Sequence, residues 1–274
     1  MNVEDLARVA RLGLVMQLRD ASFAPISAAA AVAGSSLLVG ASAHGRRLEV
    51  VMDYHPDAHR ALAPDTAAPA GTDHLRVRID GEDVEVMFAL GGPRDPAAAV
   101  DELAVEAVRE PWLELVSQLC SIADAKISGR GRSSDGQRAM LQITYPARGR
   151  DMDAMLVEAI SELGDGIGVS AAQQTLFRRI HPELGRGGEI VLTTRTTPTQ
   201  VSAQLGISYP ITEWATAVRL AGGLVLNDSE GKDVSRRLGE VAGAVAADNL
   251  IGLEIVLGPH EPPDVVVWAR LAPR

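Results

Sequence analysis

Apolar and polar residues alternate with a period of two in several stretches of the chain. Between His74 and Asp80 every second residue is apolar, Asp80-Gly81 can supply a turn, and a second apolar run covers Val84 to Leu90. Such alternation is typical of a strand with one buried face, and Asp-Gly between two such runs favours a hairpin. Comparable pairs occur at 126–131 with 137–145 and at 250–257 with 265–271. The pattern therefore predicts antiparallel hairpins in both halves of the chain.

The longest helical pattern runs from Pro96 to Ala125. Apolar residues recur every three or four positions in its first part, and the part after Pro111 is apolar on more than one side. Proline inside a helix removes a hydrogen bond, so Pro111 predicts a kink or a fresh helix start. A helix that is apolar nearly all round is normally covered on most faces. We therefore expect a buried central helix here.

Hairpins precede and follow this central segment, and turns rather than helical crossovers join neighbouring strands. This arrangement favours an α+β fold with largely antiparallel sheet over a doubly wound parallel sheet. We expect two similar halves, residues 1–125 with the central helix and residues 126–274, which share that helix. At 274 residues the chain could also form one continuous domain.

The segment from Ala21 to Ala43 carries no charged side chain, and its length would suffice to span a bilayer. It contains Pro25, two glycines and five serines, and alanine supplies most of its bulk. Such a composition favours a buried helix followed by a strand over a membrane span.

The composition of the chain argues against nucleic acid as a partner. The net charge is −10 and aromatic residues make up 3% of the chain. Nucleic-acid binding depends on neutralising phosphates and, for single strands, on aromatic platforms, so neither number favours it. Cys120 is the single cysteine, which excludes an internal disulfide and is compatible with a reducing cytoplasm.

Four potential metal ligands stand at alternate positions: Asp53, His55, Asp57 and His59. A strand would place all four side chains on one face, and carboxylate with imidazole is a donor set for a divalent metal. Pro56 followed by Asp57 instead resembles a helix start, which would divide the four between opposite sides. The spacing matches no sharply specified metal motif. The alternatives are thus a metal site and a solvated exit from a strand.

Arginine and glycine alternate in three predicted loops, which hold Arg130, Arg132, Arg148, Arg150 and Arg186. Glycine lets a backbone approach an anion closely, and arginine binds phosphate or carboxylate through two parallel hydrogen bonds. If the loops converged they would form a site for an anionic or nucleotide ligand. Exposed turns with solubilising arginines are the alternative, because loops generally lie on the surface.

The sequence shows no coherent catalytic constellation, because its glycine-rich runs lack the spacing and context of nucleotide-binding or hydrolase motifs. This favours a non-catalytic cytoplasmic adaptor or chaperone-like protein that binds another protein, with no nucleic acid and no membrane. A metal-dependent enzyme using the aspartate and histidine cluster is one alternative. An anion-binding or nucleotide-binding protein using the arginine loops is the other.

Overall fold

The computed structural model describes residues 3–15, 20–33, 37–42, 47–80, 83–90, 95–103, 106–121, 125–146, 171, 175, 189–210, 228–245, 250–257 and 264–271. The strands in these ranges are β1 (Leu37–Ser42), β2 (Arg47–Asp53), β3 (Thr72–Asp80), β4 (Asp83–Leu90), β5 (Lys126–Ser133), β6 (Ala139–Pro146), β7 (Glu189–Thr196), β8 (Val201–Pro210), β9 (Leu250–Leu257) and β10 (Asp264–Leu271). The helices are α1 (Val3–Val15), α2 (Asp20–Ala33), α3 (Pro56–Leu62), α4 (Pro96–Leu103), α5 (Glu106–Cys120) and α6 (Asp228–Val245).

Each strand pairs with its neighbours in chain order, and β1 also pairs with β10, so the strand order closes into a barrel. Every pairing whose register the structure describes is antiparallel. The predicted fold class is therefore wrong, because the strands belong to one closed order and not to two similar halves around a shared helix. The predicted hairpin strands are confirmed at β3, β4, β5, β6, β9 and β10.

Contacts divide the chain into two compact units. Unit one comprises Met1–Ala89, Ile211–Leu253 and Asp264–Arg274, and unit two comprises Leu90–Pro210 and Glu254–Pro263. The predicted boundary between residues 125 and 126 falls inside unit two. The division into residues 1–125 and 126–274 stays a prediction.

In unit one, helices cover one face of the strands. Side chains alternate along a strand, so every second residue contributes to this core. Val9 and Leu12 of α1, Ile26 of α2 and Val241 of α6 belong to the same buried cluster as the strand residues. The strand members are Leu37, Val39, Ala41, Leu48, Val50, Met52, Leu75, Val77, Ile79, Val86, Phe88, Ala269 and Leu271.

In unit two, α4 and α5 contact β5 to β8. The described part of the predicted central helix comprises α4, which ends at Leu103, and α5, which begins at Glu106 and contains Pro111. Trp112 is fully buried and its Nε1 donates a hydrogen bond of 2.9 Å to Thr194 Oγ1 on β7. The apolar side of α5 thus packs on the sheet of its own unit.

The uncharged segment behaves as the sequence predicts, since α2 ends at Ala33 and β1 begins at Leu37. Ile26, Ala29 and Ala30 of α2 are fully buried. No helix in the described ranges is long and apolar enough to cross a membrane.

Candidate functional site

The strand face of unit one that turns away from the helices is polar. Register places Gly40 of β1 opposite both Glu49 of β2 and Trp268 of β10, and places Glu49 opposite Arg78 of β3. This face is opposite the one that packs in the apolar core of unit one. We call it the charged face; its residues include Ser42, Arg47, Glu49, Asp53, Arg76, Arg78, Asp80, Asp264 and Arg270.

The described part of this face contains three ion pairs: Arg47 with Asp264, Arg76 with Glu49, and Arg78 with Asp80. The Arg47 and Glu49 side chains are 10% exposed, and Arg76 and Arg78 are 15% exposed. Charges removed from water must be paired, because an isolated buried ion is costly. The charged face therefore holds several guanidinium and carboxylate groups in a water-poor environment.

Asp264 is fixed by donors from β1, β2 and its own strand. Ser42 Oγ donates to Oδ1 at 2.7 Å, the backbone N–H of Val265 donates to the same oxygen at 2.8 Å, and Arg47 Nη2 donates to Oδ2. A carboxylate with this many donors is held in one orientation, and it orients the guanidinium of Arg47 in turn.

Trp268 lies against Gly40 on the charged face. A Cβ atom placed on Gly40 would be 2.9 Å from Cη2 of the indole and 3.0 Å from Cζ2 and Cζ3. These distances are shorter than ordinary carbon contacts, so the ring occupies space that any other residue would fill. Because Gly40 has no side chain, the flat indole ring can lie over it, and Gly40 is the residue opposite Glu49 in the pairing of β1 with β2.

The corresponding face of unit two is polar but carries fewer charges among its described residues. Thr144 Oγ1 donates to Ser128 Oγ at 2.6 Å, and a Cβ atom on Gly129 would be 2.6 Å from Gln142 Oε1. Glycine here leaves room for a long polar side chain, as Gly40 does for a ring. This face offers hydroxyl and amide groups for hydrogen bonding.

The four predicted metal ligands lie around the start of α3. Asp53 ends β2, His55 is the N-cap of α3 and accepts from the N–H of Asp57 at 3.2 Å, and Asp57 is in the first turn. His59 is buried, with its ring edge-on to Phe88. Within the described residues no three histidine, cysteine, aspartate or glutamate side chains are grouped to hold a metal. His55 and Asp57 stay close, with Nδ1 of the histidine 3.9 Å from Oδ2 of the aspartate, and whether the four residues bind a metal stays a prediction.

Two of the predicted anion-binding arginines are described, and both lie on β5. Arg130 is 4% exposed and forms an ion pair with Glu102 of α4, so it faces the helices. Arg132 Nη2 lies 3.4 Å from the carbonyl oxygen of Gly136 in the next turn. Arg148, Arg150 and Arg186 lie outside the described residues. Convergence of the three loops stays a prediction.

Cys120 at the end of α5 is half-buried. Burial is the main cause that raises the pKa of its thiol to about 11, and the charge of Asp95 is the second. Burial, and secondly the charge of the Cys120 thiolate, raise the pKa of the Tyr145 hydroxyl. This hydroxyl donates a hydrogen bond of 2.6 Å to the carbonyl of Leu119. Thiolate is the reactive form of cysteine, so Cys120 is inert at neutral pH.

No family model and no curated protein matches the sequence. Solved structures do match. The 5-dimethylallyl tryptophan synthase from Streptomyces coelicolor, in complex with DMASPP and Trp, is 11% identical with a TM-score of 0.60, and the match covers 97% of this chain and 93% of that one. Prenyltransferase PriB, in a ternary complex with L-tryptophan and dimethylallyl thiolodiphosphate, is 15% identical with a TM-score of 0.61, over 97% and 94%. The chain has the fold of these prenyltransferases.

This likeness corrects the functional prediction. The adaptor or chaperone-like interpretation is wrong, because the structural neighbours are prenyltransferases whose complexes contain small-molecule substrates. At 11–15% identity the likeness establishes the fold and no shared residues. Sequence reasoning also missed Arg47, Glu49, Arg76 and Arg78, whose alternation with apolar residues was the available signal.

Proposed function

We propose that this protein transfers an allylic group from an allylic diphosphate to an electron-rich aromatic acceptor. The observation that carries the proposal is the set of guanidinium groups on the charged face, on β2 and β3, which lie two and three strands from the one that holds Trp268. The fold supports it, since neighbours with this fold bind dimethylallyl thiolodiphosphate or, in a binary complex of PriB, product diphosphate.

The diphosphate would bind Arg47, Arg76 and Arg78. Guanidinium matches phosphate oxygens through paired hydrogen bonds, and its attraction is stronger away from bulk water. Asp264 holds the guanidinium of Arg47 before the ligand arrives. Such preorganisation lowers the cost of ordering the site on binding.

The reaction would break the bond between the allylic carbon and the diphosphate oxygen, and the electron pair would leave with diphosphate. The π electrons of the acceptor ring would form the new bond to the allylic carbon, and the ring carbon would then lose its proton to the departed diphosphate. The arginines would stabilise charge developing on the departing diphosphate. The indole face of Trp268 would lie near the allylic cation, which an aromatic quadrupole attracts.

The test incubates the purified protein with dimethylallyl diphosphate and a panel of indoles and phenols. We expect diphosphate release and an acceptor whose mass has risen by one dimethylallyl group in place of a hydrogen. Arg47→Gln should lower turnover about 10²-fold, as for loss of one donor that stabilises transition-state charge. Arg236→Gln, on the exposed surface of α6 with a side chain 63% exposed, is the matched control and should not change it.

Two results would refute the proposal. One is the absence of both prenylated product and diphosphate release across the panel, together with no binding of inorganic pyrophosphate by calorimetry. The other is turnover that Arg47→Gln and Arg236→Gln change equally, because the charged face would then have no special role.

A further inference from the structure

We infer that unit two binds a small monovalent anion of the halide class, held by the guanidinium of Arg132 and the hydroxyl of Thr196. The site lies on the helix-covered face of the strands and takes no part in the proposed transfer reaction. Its test therefore needs no substrate and stands apart from the test of that reaction.

Three residues form one row across three neighbouring strands. Arg132 of β5 is opposite Ala139 of β6, and Ala139 is opposite Thr196 of β7. Directly opposed residues of a sheet turn their side chains to the same face, so all three lie on one side. Ala139 is 2% exposed and contributes only a methyl group. Arg132 and Thr196 thus flank a covered position that has little side chain of its own.

Neighbouring contacts show which face carries this row. Thr194 of β7 accepts a hydrogen bond from Trp112 Nε1 of α5, and Arg130 of β5 forms an ion pair with Glu102 of α4. Each of these strand residues stands two positions before a member of the row, and alternate residues along a strand share a face. The row therefore continues the face that α4 and α5 contact.

Two enclosed polar atoms in the row have no hydrogen-bond partner within the part of the chain that the structure describes. They are Arg132 Nε and Thr196 Oγ1, and Thr196 as a whole is 1% exposed. Buried polar groups in folded proteins are nearly always hydrogen-bonded, and an enclosed charge without a partner is costly. Two such atoms in one row point to a bound ligand that supplies the missing interactions.

The helix that neutralises Arg130 offers no carboxylate to Arg132. Of the two acidic residues of α4, Glu102 pairs with Arg130 and Asp101 pairs with Arg109 of α5. The guanidinium of Arg132 contacts the carbonyl oxygen of the next turn through Nη2, at 3.4 Å, and that contact brings no negative charge. No ion pair of Arg132 occurs in the described ranges, so its counter-charge must come from outside them or from an ion.

The chemistry of the two groups selects the ligand class. Arginine Nε can only donate and carries a permanent positive charge, and the threonine hydroxyl can also donate. A particle that accepts both bonds and carries one negative charge satisfies them. Water accepts hydrogen bonds but leaves the charge uncompensated, whereas phosphate or sulfate brings more negative charge than one guanidinium neutralises. Chloride has the required charge and size.

Bromide, which replaces chloride and scatters X-rays anomalously, locates the ion directly. Crystals of the wild-type protein soaked in sodium bromide should show an anomalous peak between Arg132 and Thr196. In solution, Tm should be about 2–4 °C higher in sodium chloride than in sodium gluconate of equal ionic strength, once chloride exceeds its Kd several-fold. Gluconate is the reference because it is too large for an enclosed position.

Variants on the same face separate the site from a general salt effect. Arg132→Gln and Thr196→Val should abolish the difference in Tm between chloride and gluconate. Thr196→Val should be no less stable than the wild type in gluconate, because it removes a hydroxyl that has no partner there. Thr194→Val is the matched control: it should lower Tm equally in both salts and keep the chloride effect.

Two results would overturn the inference. One is bromide-soaked crystals with no anomalous peak at this position, including the case in which a water molecule occupies it. The other is a chloride effect of equal size in the wild type, Arg132→Gln and Thr196→Val. If a variant does not fold, the bromide experiment on the wild-type protein decides alone.

Discussion

Replacing Gly40 by alanine tests whether the absence of a side chain there positions Trp268. The added Cβ would lie 2.9–3.0 Å from three carbons of the indole. Carbon atoms normally pack about 3.5–4.0 Å apart, so the ring must withdraw by about 0.5–1 Å. The backbone of β1 cannot move away easily, because it is hydrogen-bonded to β2 on one side and β10 on the other.

Two effects of opposite sign decide the magnitude. Forcing an extra methyl into a packed site costs about 1–3 kcal/mol. Alanine in a strand interior is favoured over glycine by about 0.5–1 kcal/mol, because glycine loses more conformational entropy on folding. We therefore expect Gly40→Ala to lower the free energy of unfolding by up to about 2.5 kcal/mol.

Urea unfolding followed by far-ultraviolet circular dichroism measures the effect, and a double-mutant cycle isolates its cause. In a Trp268→Ala background the obstacle is absent, so Gly40→Ala should become stabilising by about 0.5–1 kcal/mol. The change of sign between the backgrounds is the decisive observation. Equal destabilisation in both would show that contact with the ring is not what excludes a side chain at position 40.

Three further outcomes follow from the packing of unit two. Trp112→Phe should lower the free energy of unfolding in urea by about 1–3 kcal/mol, because the buried hydroxyl of Thr194 loses its hydrogen-bond donor. Trp112→Phe combined with Thr194→Val should lower it by less than the sum of the two single changes. The pKa of the Cys120 thiol is about 11 in the folded state and ordinarily 9.0, so the free energy of unfolding should fall as pH rises from 9 to 11. Cys120→Ala should remove this part of the decline, and an unchanged pH profile in the variant would refute the prediction. Gly136 has φ of 69°, so Gly136→Ala should cost about 1–2 kcal/mol, seen as a lower Tm.

Local patterns predicted the strands but could not predict the closure. A hairpin is specified by alternation and a turn within about twenty residues, and β3 with β4 and β5 with β6 follow those rules. The pairing of β1 with β10 joins opposite ends of the chain, and nothing in Leu37–Ser42 or Asp264–Leu271 marks one as the partner of the other. Two separate sheets and one closed barrel therefore share the same local signals.

The candidate site could not be predicted from the sequence for the same reason. In β2 and β3 the charged residues alternate with apolar ones, and that alternation is also what a sheet with one solvated face shows. Arg76 and Glu49 form a largely buried ion pair, which alternation alone does not indicate. The metal prediction rested on a period of two through Asp53, His55, Asp57 and His59; the chain instead begins α3 at Pro56, so these residues do not share one strand face.

The ion pairs of the charged face are better explained by binding than by stability. Replacing a buried ion pair with well-packed apolar side chains of similar size is often neutral or stabilising, so the barrel does not need Arg76 and Glu49 in order to fold. The opposite face of the same strands already supplies a continuous apolar core, from Val39 and Val50 to Val77. Under the proposed function, guanidinium groups kept on the charged face at a desolvation cost would contribute to binding the diphosphate.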